Sequence, residues 1–187
     1  MNTWPDRDEA MGILEGWTKN PNLRKHAYAV EAAMKAYAEG FGEPVEKWAV
    51  VGLLHDFDYE RYPDLKDHPF KGAEWLKERG FADDLAQTVL AHAEHTGAAR
   101  DTLMKKCLFA VDELTGLIVA VALVRPSKKL ADVSVKSVKK KWKDKSFAAG
   151  ADREAIERGA EELGVPLQEH IAVLLEAMQG VSDDLGL

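Results

Sequence analysis

Histidine and aspartate residues recur along the chain at positions that could together form a metal site. His55 and Asp56 directly follow the apolar run 50–54, so two ligand-type side chains emerge where a buried helix ends. Asp112 stands inside an apolar segment, where an unpaired carboxylate would pay a large desolvation penalty that a metal ion removes. Imidazole nitrogens combined with carboxylate oxygens are typical of hydrolytic transition-metal centres. The candidate ligands are His26, His55, Asp56, His68, His92 and Asp112.

Each candidate also has a structural explanation when it is taken alone. An ion pair with Lys or Arg would account for Asp112, and His55 could be a hydrogen-bonded core histidine. His92 and His95 are three residues apart on one helix face, so both could reach the same site. The position of His92 in the helix body favours it over His95, which lies nearer the frayed end. His170 is far from the others in sequence and is interpreted as structural.

The elements that must position these residues are helical nearly throughout. Residues 3–5 are predicted to open a short first helix, with Pro5 in its first turn. The next predicted helices span about 23–39, 44–56, 68–79, 84–95 and 103–124, followed by a basic helix near 135–142 and two final helices separated by Gly164 and Pro166. No alternating pattern is long enough for a sheet. We predict one all-α domain over residues 1–187, and whether the last two helices form a small appended lobe is left open.

Charge and composition narrow the function classes. The net charge is −7, yet the basic strip, residues 125–145, carries seven more positive than negative charges. An acidic body with one basic strip argues against general nucleic-acid binding and suits a small anionic substrate. Residues 1–10 lack the apolar core of a secretory signal, and acidic residues interrupt the longest apolar stretch, 107–124. With the lone Cys107 excluding an internal disulfide, we expect a cytoplasmic protein without membrane association.

The order of the candidate ligands resembles that of the HD-domain metal-dependent phosphohydrolases over about residues 22–125. The segment 68–73 is similar to the subset with extra histidines and two metals, as in bacterial dinucleoside-tetraphosphate hydrolases and cyclic-dinucleotide phosphodiesterases. The segment 110–116, with the basic residues beyond it, is similar to a family of small bacterial HD hydrolases. This resemblance implies an HD-type helical bundle with its metal-binding core at about 22–125, followed by the basic strip and C-terminal helices at 126–187.

The resemblance also implies a mechanism. Four residues would hold one ion, namely His26, His55, Asp56 and Asp112. Asp56, the expected catalytic residue, would bridge to a second ion held by His68 and His92. Water activated by the metal would attack the phosphorus atom of a small phosphorylated substrate, a nucleotide being the first expectation. Imidazole and carboxylate ligands suit Fe, Mn, Zn, Co or Ni, and the sequence leaves open whether one or two ions bind.

Several alternatives remain open at the level of sequence. Arg125, Lys128 and Lys139 are candidates for contact with the substrate phosphate, although a solvated face of an amphipathic helix would explain the basic strip equally well. Some HD-fold proteins with a similar histidine set are di-iron oxygenases, and others are ligand-binding regulatory modules. Whether the chain forms a homodimer is also left open.

Overall fold

The computed structural model describes residues 3–187 and is built from α-helices. Its ten α-helices are α1 (Arg7–Trp17), α2 (Pro21–Phe41), α3 (Val45–Leu54), α4 (Phe70–Glu78), α5 (Asp83–Ala91), α6 (Leu103–Leu123), α7 (Val135–Trp142), α8 (Arg153–Leu163), α9 (Leu167–Gly180) and α10 (Ser182–Leu185). Two short 3₁₀ turns occupy Glu94–Thr96 and Leu130–Asp132. Within residues 3–187 the β-type pairing is limited to an isolated bridge between Thr3 and Phe81. The predicted all-α class is confirmed.

Local sequence signals account for several helix ends. The Asn20 side chain accepts a hydrogen bond from the Asn22 N–H at 2.9 Å, which caps the start of α2. Gly42 ends that helix with a left-handed φ of 71°, which glycine adopts without steric penalty. Thr102 caps α6, because its side chain accepts a hydrogen bond from the Lys105 N–H.

Two predicted boundaries are wrong. The first helix starts at Arg7, because Asp6 accepts the Glu9 N–H and so places Pro5 before the cap. The helix predicted to continue to residue 95 stops at Ala91. There the Thr96 hydroxyl lies within hydrogen-bonding distance of the carbonyl oxygens of residues 90 and 93. These contacts favour a tight turn over continuation of the helix.

Two glycines allow close helix packing around the site. A Cβ atom added to Gly52 of α3 would lie 2.6 Å from the Cα of Glu31 on α2. A Cβ atom added to Gly159 of α8 would lie 2.6 Å from the Cα of Ala110 on α6. The backbones of these helix pairs therefore approach more closely than any larger residue would permit, which fixes α3 on α2 and α8 on α6.

The C-terminal helices share the core of the earlier ones. The buried His170 of α9 lies 2.6 Å from the Tyr37 hydroxyl on α2 and 2.8 Å from the Ala110 carbonyl oxygen on α6. Because a carbonyl only accepts, the His170 Nε2–H donates to Ala110 and Nδ1 accepts from Tyr37. This agrees with a structural role for His170. Among residues 3–187, no helix has the length and apolar character that crossing a membrane requires.

Candidate metal centre

Five helices and their ends bring the six predicted ligands to one place. His26 lies in the second turn of α2, and Asp112 lies in the middle of α6. The other four stand at helix ends, with His55 and Asp56 directly after α3, His68 just before α4 and His92 directly after α5. Their ligand atoms form two groups, each within a span of 4.8 Å: the first contains His26, His55 and Asp112, and the second contains Asp56, His68 and His92.

The first group is a compact triangle of two nitrogens and one oxygen. The Nε2 atoms of His26 and His55 are 3.1 Å apart. Oδ1 of Asp112 lies 3.0 Å from Nε2 of His26 and 3.5 Å from Nε2 of His55. These separations match those between neighbouring ligands of one ion, since metal–ligand bonds of about 2.1 Å place adjacent ligands about 3.0–3.4 Å apart.

Asp56 connects the first group with the second. Its Oδ1 lies 3.2 Å from Nε2 of His68 and 3.2 Å from Nε2 of His92. Its Oδ2 instead faces the first group, at 3.6 Å from Nε2 of His55 and 3.9 Å from Nε2 of His26. One carboxylate therefore presents a separate oxygen to each group, which is the arrangement of a bridging ligand.

Hydrogen bonds on the far side of the rings orient the histidines. Nδ1 of His55 lies 2.8 Å from the Gly52 carbonyl oxygen, and Nδ1 of His92 contacts the Val89 carbonyl oxygen at 2.5 Å. A carbonyl only accepts, so Nδ1 carries the hydrogen in both rings. The neutral rings then turn an Nε2 lone pair toward the centre, which is the tautomer that binds metal.

His68 is oriented by a carboxylate. Its Nδ1 lies 2.8 Å from Oδ1 of Asp58, a fully buried residue whose Oδ2 accepts the Gly72 N–H at 2.7 Å. A Cβ atom on Gly72 would lie 2.8 Å from the Asp58 carboxyl carbon, so this close approach requires glycine at position 72. His26 has a longer contact, 3.4 Å from Nδ1 to the Thr115 hydroxyl.

The electrostatics keep the two central carboxylates ionised. Burial by itself would raise the pKa of Asp56, but the surrounding histidines, His55 and His68 among them, hold that pKa well below its usual range. In the same way, His26 and His55 outweigh burial and lower the pKa of Asp112. Two anionic carboxylates among converging imidazoles form a donor set that fits one or two divalent transition-metal ions.

Contact with carboxylates in turn raises the pKa values of histidines in the centre. Burial opposes protonation of His68, yet hydrogen bonds to Asp56 and Asp58 raise its pKa to about 9. The pKa values of His55 and His92 are also raised, because contacts with aspartates outweigh burial. Each of these rings faces concentrated negative charge, and a divalent cation would neutralise that charge in place of protons.

The centre forms the floor of a cavity of about 730 Å³. His95 also lines this cavity, but its Nε2 lies 2.9 Å from the His68 carbonyl oxygen rather than in either ligand group. The structure thus brings His92 and not His95 into the cluster. The remaining walls are formed by Tyr59, Leu65, Ala93, Glu94, Phe109, Glu113, Gly116, Ala148, Gly150, Ala151, Asp152 and Ala155.

The three basic residues predicted to contact a phosphate do not line this cavity. Arg125 is thirteen residues beyond Asp112, which corresponds to about 20 Å along a helix axis. Lys128 is exposed, and the Lys139 ammonium donates to the Gln168 side chain on α9 at 3.0 Å. None of the three residues is therefore part of the cavity that surrounds the centre.

Several residues of the site were not predicted from sequence. Asp58 is one of them, and the glycine at position 72, against which its carboxylate packs, was the one available signal that another group approaches there. The role of Thr115 and of the cavity wall at residues 148–155 depends on helix packing and has no comparable local signal.

Comparison with known proteins gives a family but no individual relative. A sequence model of the HD domain matches residues 23–117. Neither the curated proteins nor the solved structures include a match to this chain. The matched region runs from α2 to the middle of α6 and includes both ligand groups. Since it spans just over half of the 187 residues, the chain belongs to the HD domain family.

Proposed function

We propose that this protein is a metal-dependent phosphohydrolase that cleaves a small phosphate ester with water as the nucleophile. Membership in the HD domain family suggests metal-dependent hydrolase activity. The observation that supports the proposal most directly is Asp56, whose two oxygens face two different groups of histidine ligands. A bridged pair of ions is the arrangement that stabilises both the attacking and the leaving oxygen in phosphoryl transfer.

The side chains of the centre have distinct tasks in this proposal. His26, His55 and Asp112 would hold one ion, His68 and His92 would hold the other, and Asp56 would contact both. Divalent ions bound there would lower the pKa of a coordinated water and offset the charge of the phosphate. The backbone carbonyls behind His55 and His92 keep their Nε2 atoms directed inward.

The cavity lining supports a small substrate with little charge away from the centre. Among the described residues that line it there is neither lysine nor arginine, while Glu94, Glu113 and Asp152 are acidic. A polyphosphate tail would therefore lack counter-charges, whereas a single phosphate would meet its counter-charge at the centre. We propose a phosphate monoester or diester, with nucleoside monophosphates as the first class to test.

Metal analysis combined with a substrate panel tests the proposal. Protein reconstituted separately with Mn, Fe, Zn, Co or Ni should release phosphate or alcohol from at least one ester. Asp56→Asn should abolish turnover and lower metal content, while Asp64→Asn, on the exposed part of the neighbouring loop, should change neither. Full metal retention and turnover in Asp56→Asn would refute the assignment.

The same preparations separate the proposal from its rivals. Replacement of both His68 and His92 by Ala should reduce the stoichiometry from two ions per chain toward one. Oxygen consumption by the iron-loaded protein without release of phosphate would instead favour the oxygenase alternative, which the same ligand set can serve. Stoichiometric ligand binding without turnover would favour a regulatory module.

A further inference from the structure

One wall of the cavity comes from a part of the chain outside the matched HD region. Residues 144–152, called the wall segment below, connect α7 with α8. Four of its residues line the cavity that has the candidate metal centre as its floor, namely Ala148, Gly150, Ala151 and Asp152. The matched region ends at residue 117, so the HD core alone leaves this side of the cavity open.

A single guanidinium group organises the wall segment. Nη1 of Arg153 donates to the carbonyl oxygens of Ala148 and Ala151, both at 2.8 Å. Nη2 donates to the Phe147 carbonyl and, at 3.4 Å, to that of Asp144. One side chain thus holds four carbonyl groups that belong to no helix, and such charge-assisted hydrogen bonds are stronger than neutral ones.

The backbone of the wall segment does not adopt this shape by local preference. Ala148 has a φ of 46°, in the left-handed region, where an L-residue other than glycine costs about 1 kcal/mol or more. Hydrogen bonds must therefore support the conformation, and the bond from Arg153 to the Ala148 carbonyl is the direct one.

The base of the wall segment is fixed on the HD core. Gly159 of α8 packs directly against Ala110 of α6, two residues before the candidate ligand Asp112. At the start of α8, the Asp152 N–H lies 3.4 Å from Oε2 of Glu113, the residue after that ligand. The wall segment is thereby held in a constant position relative to the centre.

We propose that the wall segment determines substrate specificity by contacting the organic group of the substrate, and that Arg153 is the positioning residue that holds it. This inference rests on the proposed function, because it assumes that phosphate occupies the centre. The small side chains of Ala148 and Ala151 leave the space, and the exposed Tyr59 and Leu65 add apolar surface to the same lining, which also contains acidic residues. The group that fits is uncharged, with an aromatic part for the apolar surface and hydrogen-bond donors for the acidic side chains, such as a nucleoside.

A matched pair of substitutions in the wall segment tests the contact. Ala151 lines the cavity, whereas Ala149 is exposed and does not. With metal-loaded protein, Ala151→Leu should raise the KM for adenosine 5′-monophosphate roughly tenfold or more and change that for methyl phosphate far less. Ala149→Leu should alter neither KM, and metal content should be equal in both variants. The same fold-change in KM for both esters relative to wild type, or no change in either, would overturn the proposal.

The role of Arg153 has a readout that does not depend on turnover. Arg153→Ala should increase backbone hydrogen exchange within residues 144–152 while exchange in α2 and α6 stays at the wild-type level. The KM for adenosine 5′-monophosphate should rise with little change in kcat for methyl phosphate. Arg153→Lys should restore part of both effects, since an ammonium group can reach only some of the four carbonyls. Wild-type exchange of the segment in Arg153→Ala would show that Arg153 does not hold it.

Failure of this inference is distinguishable from failure of the proposed function. If the wild type hydrolyses both esters and Ala151→Leu changes the two KM values by the same factor, the phosphohydrolase proposal stands and the wall segment has no role in specificity. If no ester is hydrolysed, equilibrium binding of adenosine 5′-monophosphate to the metal-loaded wild type and Ala151→Leu proteins decides the matter. Weaker binding to the variant supports the contact, and equal binding or none overturns it.

Discussion

At the scale of single residues, the orientation of each imidazole is set by a partner behind it. His55 and His92 use backbone carbonyls three residues earlier, which helix geometry supplies wherever a histidine ends a helix. His68 precedes its helix and has no such carbonyl, so it depends on the side chain of Asp58. A substitution at Asp58, which is not itself a candidate ligand, can therefore disorient His68 in the second ligand group.

We expect Asp58→Asn to weaken metal binding at the second group by about 10- to 100-fold, because the amide no longer fixes the His68 ring by charge. Titration of metal-free protein with Mn or Zn, followed by metal analysis, would measure this loss. The first group should keep its affinity. Asp67→Asn, in the same loop and without a ligand contact, is the control, and an equal loss in that variant would attribute the effect to loop stability.

At the scale of elements, the site depends on how closely α8 and α3 approach their neighbours. Gly159 permits the contact between α8 and α6, and Gly52 permits that between α3 and α2. Both contacts lie within a few residues of candidate ligands, so a shift of either helix would move a ligand or the wall segment. Neither contact uses polar groups, and packing alone sets the distance.

Gly159→Ala should destabilise the protein by about 1–3 kcal/mol, because the new methyl group would meet the Ala110 backbone at 2.6 Å. Gly12→Ala in α1, where nothing lies within 4 Å of the added atom, should stabilise it by roughly 0.5–1 kcal/mol. Urea unfolding followed by circular dichroism measures both. A neutral effect at Gly159 would mean that α6 and α8 can separate without loss of stability.

At the scale of the whole molecule, His170 links the C-terminal helices to the HD core. Burial lowers its pKa, with the hydrogen bond to Ala110 acting weakly in the opposite direction. The unfolded chain therefore binds a proton near the usual histidine pKa of about 6.5, while the folded chain does not. Stability contributed by neutral His170 is present above that pH and decreases as the pH falls below it.

We expect the free energy of unfolding of the wild type, taken relative to that of His170→Gln, to fall between pH 7 and pH 5 by at most about 1.4 kcal/mol per pH unit. His170→Gln should be less stable at pH 8 but should lack this contribution. The difference between the unfolding free energies of the two proteins, followed against pH, gives the contribution of His170 separately from that of the other histidines. Parallel profiles would show that the His170 pKa is not lowered on folding.

The basic strip leads to a prediction of no kinetic effect. Lys128 and Lys139 lie outside the cavity, and Lys139 pairs with Gln168. The double variant with Ala at both positions should keep the wild-type KM at low and high salt, with stability changed by about 0.5 kcal/mol or less. A raised KM with reduced salt sensitivity would show instead that these lysines contact the substrate.

The order of the ligands could be predicted from sequence because each stands at a recognisable helix position. His55 and Asp56 end an apolar run, and Asp112 interrupts one, so a buried charge required a partner whatever the fold. The helix caps at Asn20 and Thr102 are equally local. The end of α5 was not predictable, because the turn made by Thr96 competes with continued helix only once its hydroxyl has carbonyl partners.

Local sequence by itself determined the helices, the identity of the candidate ligands and the place of His55 and Asp56 at a helix end, since these depend on periodicity, capping and desolvation within a few residues. Only the tertiary structure decided which residues share the cavity. It placed Asp56 between two ligand groups, brought Asp58 behind His68, added the wall segment beside the centre and left Arg125, Lys128 and Lys139 outside the cavity. Those outcomes depend on distances between helices far apart in sequence, which are set by packing at contacts such as Gly159 with Ala110.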